Sequence, residues 1–94
     1  LKIAYPSTAA DAKGLLLTCI FDEDPCVFFE AARVYFNPGP VPEGDYRIPL
    51  GVADVKRKGS DLTIVSYGWP VVEALGVAEA MAKEGVDIEV VDLR

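Results

Sequence analysis

The stretch Asn37-Pro38-Gly39-Pro40-Val41-Pro42-Glu43-Gly44 limits the folding of this chain more than any other. Pro38, Pro40 and Pro42 each fix φ and each lack a backbone donor, so neither a helix nor a central strand can run through them. Every regular element must end before this stretch or start after it. Residues 38–50 therefore read as an ordered linker, stiffened by its prolines. The chain divides into 1–37 and 51–94.

Both flanking segments carry an α/β pattern. In the first, Lys2 to Tyr5 is a short extended start ended by Pro6. Ser7 or Thr8 can cap a helix, and Thr8 with Asp11 three residues on makes a capping-box-like pair. Ala12, Leu15, Leu16, Cys19 and Ile20 then repeat at i, i+3, i+4, i+7 and i+8, one apolar face of a helix. Gly14 inside that helix costs up to about 1 kcal/mol against Ala, and close packing is its expected reason. Pro25 stops the helical region. Cys26 to Phe29 is an unbroken apolar run, which predicts a strand buried on both faces.

In the second segment, Val52 to Lys56 and Leu62 to Tyr67 flank Lys58-Gly59-Ser60-Asp61 and predict a hairpin. Its tip, with the densest basic cluster (Lys56-Arg57-Lys58), is expected to be solvated. Gly68 closes the second strand. A helix follows from Pro70 to Glu84, with Pro70 in the tolerated first turn. Val71, Leu75, Ala78 and Ala82 line its inner face, and Gly85 is its cap. Ile88 to Leu93 is a last apolar strand. Each segment is thus one incomplete α/β layer. Two or three strands rarely cover both faces of a parallel sheet, so the pattern predicts part of something larger.

Several function classes are excluded from these residues. The net charge is −6 with no basic stripe, so neither nucleic acid nor an anionic membrane surface is an expected partner. No apolar run approaches the ~18 residues of a membrane span. Histidine is absent, which removes Ser-His-Asp and Cys-His catalysis and every His-based metal site. No GxxxxGK[ST] or GxGxxG loop is present. Cys19 and Cys26 lack zinc spacing and read as small buried thiols. Reduced thiols suit a cytosol or a mitochondrial matrix. No catalytic or cofactor-binding residue is assigned here.

One constellation is chemically suggestive: Cys19-Ile20-Phe21-Asp22-Glu23-Asp24. A helix C-terminus exposes unpaired carbonyls and a partial negative charge, so three acids there have the wrong sign for the dipole. Read from spacing alone, the run is either a solvated acidic loop or a turn that a cation completes with hard oxygen donors. Tyr35, Tyr46 and Trp69 are packing or interface aromatics. Glu30 sits just past the strand, where open α/β sheets place functional groups, or is a plain solvent carboxylate. Glu73 and Glu79 are expected in solvent.

An ordered set of phrases carries a resemblance. These are Pro6-Ser7-Thr8, Asp11 to Leu16, Asp24-Pro25-Cys26-Val27-Phe28-Phe29-Glu30, Val41 to Gly51, Asp61 to Gly68 and Glu89 to Arg94. Together they resemble the β-subunit of the decarboxylating first component of 2-oxo acid dehydrogenase complexes, a transketolase-like thiamine family. The resemblance implies an α/β fold with three parts. Residues 1–37 would end a pyrimidine-binding domain, 38–50 would link, and 51–94 would begin a transketolase C-terminal domain.

The resemblance also implies oxidative decarboxylation of a 2-oxo acid and acyl transfer to lipoamide. Gly14 to Ile20 with Pro25-Cys26 is most similar to the branched-chain enzyme, with the pyruvate enzyme next. Implied partners are an α-subunit in an α2β2 heterotetramer and a lipoyl acyltransferase. Implied cofactors are thiamine diphosphate with magnesium, held elsewhere in the assembly, and a structural potassium ion. The potassium would be held at Cys19 and Ile20 (as carbonyl donors), Asp22 and Asp24, with Asp24 standing where Asn is common. The family's activating glutamate and active-site histidine would lie upstream, leaving this segment inactive alone, as scaffold and subunit contact. A deoxyxylulose-phosphate-synthase type and a non-catalytic α/β docking module are the alternatives.

Overall fold

The prolines act as expected: residues 37–53 contain no helix or strand in the computed structural model, which describes all of Leu1–Arg94. On one side lie β1 (Lys2–Ala4), α1 (Ala9–Ile20), β2 (Cys26–Phe28) and a 3-10 turn (Ala32–Phe36). On the other lie β3 (Asp54–Arg57), β4 (Leu62–Ser66), α2 (Trp69–Ala82) and β5 (Ile88–Asp92). β1 and β2 form a parallel pair, and β3, β5 and β4 form a separate three-stranded sheet. No strand of one sheet pairs with a strand of the other. No helix is long and apolar enough to cross a membrane.

The predicted hairpin does not form. β5 lies between β3 and β4, antiparallel to the first and parallel to the second. β4-α2-β5 is the crossover unit, and its return strand takes the place next to β4 that β3 was expected to fill. Residues 58–61 instead step across the start of β5. Asp61 N donates to Asp87 O at 2.9 Å, and the Asp87 carboxylate accepts from Ser60 N at 3.1 Å. Arg57 reaches the Ile88 carbonyl and pairs with Asp87 at 2.9 Å. Gly59 is required at this crossing, because a Cβ there would collide with the backbone of Ile88 and Glu89. The expected solvated tip is corrected too: Lys56 and Arg57 are committed to ion pairs, and the Lys56 side chain is only 13% exposed.

The core lies where α2 covers the three-stranded sheet. Val71, Ala74, Ala78, Ile88 and Val90 are buried together, flanked by Ile64, Leu75, Met81 and Val86. Burying one such Val or Ile contributes about 1.5–3 kcal/mol. Val71 and Ala78 lie on the inner face as predicted, but Ala82 is exposed and Ala74 takes its place. The helix ends at Ala82, two residues early, and Gly85 follows with φ 82°. α1 buries Leu15, Gly14 and Asp11, while Leu16 and Ile20 stay exposed. Thr8 caps it by accepting from Asp11 N at 3.1 Å. The reciprocal half of the capping box is absent, because the Asp11 carboxylate is taken by Lys56 and Arg94.

The both-faces-buried reading of Cys26 to Phe29 is also corrected: Val27 and Phe29 are exposed, and Cys19 and Cys26 are half-buried. Ile3, Val55, Leu62 and Val65 are exposed as well, and only 13 of 94 residues are buried. With 51% apolar residues, this chain has more apolar sheet surface than its two helices cover.

The linker is strapped onto α1. Tyr46 OH donates to Ala10 O at 2.7 Å, Ile48 N to Gly14 O at 3.2 Å, and Thr18 Oγ1 to Ile48 O at 2.8 Å. Lys13 adds a bond to Pro42 O at 2.8 Å and lies 5.0 Å from the Tyr46 ring centre. A Cβ on Gly14 would meet Ile48 at 2.7 Å and Tyr46 at 2.8 Å, which accounts for a glycine mid-helix. Helix propensity alone would favour a larger residue, but overpacking costs roughly 1–3 kcal/mol and more than offsets it. Gly14→Val is expected to lower stability by about 2 kcal/mol in urea titration. It should also open residues 38–50 to limited proteolysis. A variant as stable and as resistant as the parent would contradict the strap.

Candidate functional site

The last two residues of α1, Cys19 and Ile20, and the acidic turn with Asp22 and Asp24 hold the four predicted metal-site positions, and a lysine joins them. Chain geometry explains why: Lys2 opens β1, which pairs with β2 from Lys2↔Cys26 onward, so the turn feeding β2 passes beside it. Lys2 Nζ lies 2.9 Å from the Asp22 carboxylate and 3.1 Å from Asp24 Oδ2. Asp22 Oδ1 also accepts from Asp24 N at 2.8 Å, closing the turn. The hydrogen bond from Lys2 is the main cause that holds the Asp22 carboxyl below its usual range. The bond to Asp22 likewise raises the Lys2 ammonium.

The two remaining positions offer carbonyls. Cys19 O accepts from Asp22 N at 3.4 Å. Burial, then the neighbouring Cys26 thiol, pushes the Cys19 thiol up to about 11, so it stays protonated and is no thiolate ligand. No group of three or more Cys, Asp or Glu side chains is arranged to chelate a metal. The donors here are hard oxygens, the right kind for an alkali cation. The positive charge that the turn needs is supplied in this conformation by Lys2, a residue sequence reasoning missed. Its legible signal was the β1 position opposite Cys26.

A second feature was also missed. The carboxyl ends of β1, β2, β4 and β5 converge, and the residues there (Tyr5, Phe29, Tyr67, Leu93 and Arg94), with Ile3, line a cleft of about 480 Å³. The Tyr5 ring centre lies 5.6 Å from both Phe29 and Tyr67. Open α/β sheets place ligands in this position, so the one-past-the-strand register was the available signal. The cleft offers apolar contact and a guanidinium already engaged by Asp11 and Asp54. It contains no nucleophile–base pair.

Glu30 also lies past β2. It accepts from Tyr35 OH at 2.7 Å, on the rim of a hollow of about 390 Å³ beside the start of α1. The hydrogen bond to Glu30 raises the Tyr35 hydroxyl. Of the other aromatics, Tyr46 packs on α1, and Trp69 lies 5.9 Å under the Arg33 guanidinium. Glu73 approaches Arg33 at 3.9 Å in solvent, and Glu79 is exposed.

Comparison with known proteins places this geometry. Residues 51–94 match the family "Transketolase, C-terminal domain". The whole chain is 53% identical to the 2-oxoisovalerate dehydrogenase subunit beta of Bacillus subtilis (strain 168), and spans 29% of that protein. It is 50% identical to the pyruvate dehydrogenase E1 component subunit beta of the same strain, again over all of this chain and 29% of the relative. A solved split-gene transketolase, an inactive β4 tetramer, superposes with a TM-score of 0.73 at 26% identity, over 97% of this chain and 29% of that one. The chain therefore spans under a third of the length of the relatives it matches. Residues 51–94 belong to the transketolase C-terminal domain family, and the chain as a whole is a homologue of 2-oxo acid dehydrogenase β-subunits.

Proposed function

We propose that these residues are the junction of two domains in the β-subunit of a 2-oxo acid dehydrogenase, with a branched-chain 2-oxo acid as substrate. The carrying observation is 53% identity to the 2-oxoisovalerate enzyme's β-subunit across the entire chain. Residues 1–37 are assigned to the end of the pyrimidine-binding domain and 51–94 to the transketolase C-terminal domain. The uncovered apolar residues of both sheets support this reading, since Ile3, Val27, Val55 and Val65 need partners from elsewhere in a full subunit. The proposed partners are an α-subunit, in an α2β2 assembly, and a lipoyl acyltransferase that receives the acyl group. The proposed compartment is the bacterial cytoplasm or the mitochondrial matrix.

Thiamine diphosphate with magnesium supplies the decarboxylation chemistry in such enzymes. The residues of this chain do not form a place for it: there is no histidine or phosphate loop, and Asp11, Asp22, Asp54 and Asp87 are engaged by Lys or Arg. No step of the reaction is assigned to them. Their part is to hold two domains at a fixed angle and to present the cleft of Tyr5, Phe29 and Tyr67. A transketolase-type activity is the weaker reading, because the identity to the split-gene transketolase is half as high.

We also propose a potassium ion at the α1 turn, held by the Cys19 and Ile20 carbonyls with Asp22 and Asp24. Lys2 competes with it for both carboxylates. A potassium ion held there would draw on the same carboxylates that Lys2 now engages, so the two cations would compete for one turn.

Two measurements test these proposals. The full-length protein, co-expressed with an α-subunit and supplied with thiamine diphosphate and magnesium, should decarboxylate 2-oxoisovalerate with a kcat/KM roughly tenfold or more above that for pyruvate. Residues 1–94 alone should give no saturable heat on calorimetric titration with the same cofactor. Preference for pyruvate, or micromolar cofactor binding by the isolated piece, would contradict the assignment. Separately, Lys2→Met should enlarge the gain in melting temperature that potassium gives over sodium, because removal of the competitor strengthens a native-state ligand. Equal melting temperatures in both salts, in parent and variant alike, would sink the potassium site.

A further inference from the structure

The two halves of the chain meet across a cluster of charges that the proposed chemistry does not use. α1 contributes Asp11, whose side chain is 5% exposed. β3 contributes Asp54 and Lys56, and β5 and its end contribute Asp92 and Arg94. Lys56 Nζ pairs with Asp11, lies 2.7 Å from Asp54 and 4.0 Å from Asp92. Arg94 reaches Asp11 at 3.0 Å and Asp54 at 3.2 Å. Ser7 OH, from the loop before α1, donates to Asp92 at 2.5 Å.

The backbone is shaped for this cluster. β3 and β5 set Asp54 directly opposite Asp92, a like-charge pairing that destabilises a ladder unless a cation intervenes. The register then shifts between Val55 and Arg57, so Lys56 is the extra residue of a bulge. Bulges re-aim side chains, and here the re-aimed ammonium bridges its own strand and α1. Other contact between the halves is thin by comparison: Tyr5 against a half-exposed Tyr67, the Arg33 guanidinium over Trp69, and one backbone bond from Tyr5 N to Arg94 O at 2.9 Å.

We propose that Lys56 is the bolt of a buried ionic latch that fixes one docking angle between the two halves. Apolar surfaces can slide past one another, whereas a bulged ammonium seated between Asp11 and Asp54 can be satisfied in only one register. Three carboxylates (Asp11, Asp54, Asp92) face two cations (Lys56, Arg94), a net charge of −1, and the Ser7 hydroxyl supplies the third carboxylate's remaining donor.

Hydrogen–deuterium exchange on the full-length protein tests the latch. Lys56→Met leaves a net charge of −2 and should speed exchange at least about tenfold in peptides spanning residues 2–12, 52–57 and 90–94. The interior of α2 should be unchanged. Lys56→Met/Asp11→Leu returns the cluster to −1 and should exchange more slowly than the single variant. An unchanged single variant, a uniform rise across the chain, or a double variant as fast as the single one would overturn the latch. If Lys56→Met does not fold, a folded double variant supports the latch and an unfolded one overturns it.

Discussion

The ion pair between Lys56 and Asp11 is the contact on which the arrangement of this molecule depends. Each residue also bonds within its own half or beside it, Lys56 to Asp54 and Asp11 N to the Thr8 cap, so the pair ties a helix start to a strand bulge. Burying such a pair is costly, and its net contribution to stability against an apolar substitute is near zero. Breaking it is different. Removal of one partner strands a charge in a desolvated site, at a cost of roughly 3–5 kcal/mol. The asymmetry makes the pair a poor glue and a strict gauge of position.

That property suits a junction whose core is small. α2 has a proper apolar floor in Ile88 and Val90, but α1 buries little beyond Leu15, and both sheets leave apolar residues in solvent. Neither half has the buried area to define its neighbour's position through packing. The angle is set instead by charge, by the strap of Tyr46 and Ile48 on α1, and by the aromatic contact at the shared strand ends. Under the proposed function, the rest of a β-subunit and its partner subunit cover the open faces. A fixed angle would then hold the cleft of Tyr5, Phe29 and Tyr67 in register with them.

Much of this was legible in the sequence, where local chemistry decides. Pro38, Pro40 and Pro42 predicted the break, Ser7-Thr8 a cap that Thr8 supplies, Gly14 the close approach, and Gly85 the end of α2. The misses have a common cause in tertiary competition. Val52 to Tyr67 has the alternation and turn of a hairpin, and nothing local says that Ile88 to Asp92 will return from α2 and take the position beside β4. Lys56-Arg57-Lys58 looks like a solvated tip because a bulge that turns Lys56 toward Asp11 leaves no mark on the local pattern. Lys2 escaped notice at the cation turn for the same reason: it lies 20 residues from Asp22 and arrives there only through strand pairing.

The most direct test of this account is the titration of Asp11, followed by carboxyl carbon chemical shift. Burial pushes this carboxyl up, while the bond and charge of Lys56, with Arg94, pull it down, and the balance leaves it below the usual value. Burial likewise lowers the Lys56 ammonium, but Asp11 and Asp54 leave it raised. A carboxyl depressed in the folded state adds stability that is present above the ordinary aspartate pKa of about 3.9 and lost as pH falls through the folded midpoint. The account predicts an Asp11 midpoint below about 3.9 that rises in Lys56→Met. A midpoint above that value in the parent protein, or one that Lys56→Met leaves unmoved, would mean that desolvation outweighs pairing at Asp11 and would contradict the ionic latch between the halves.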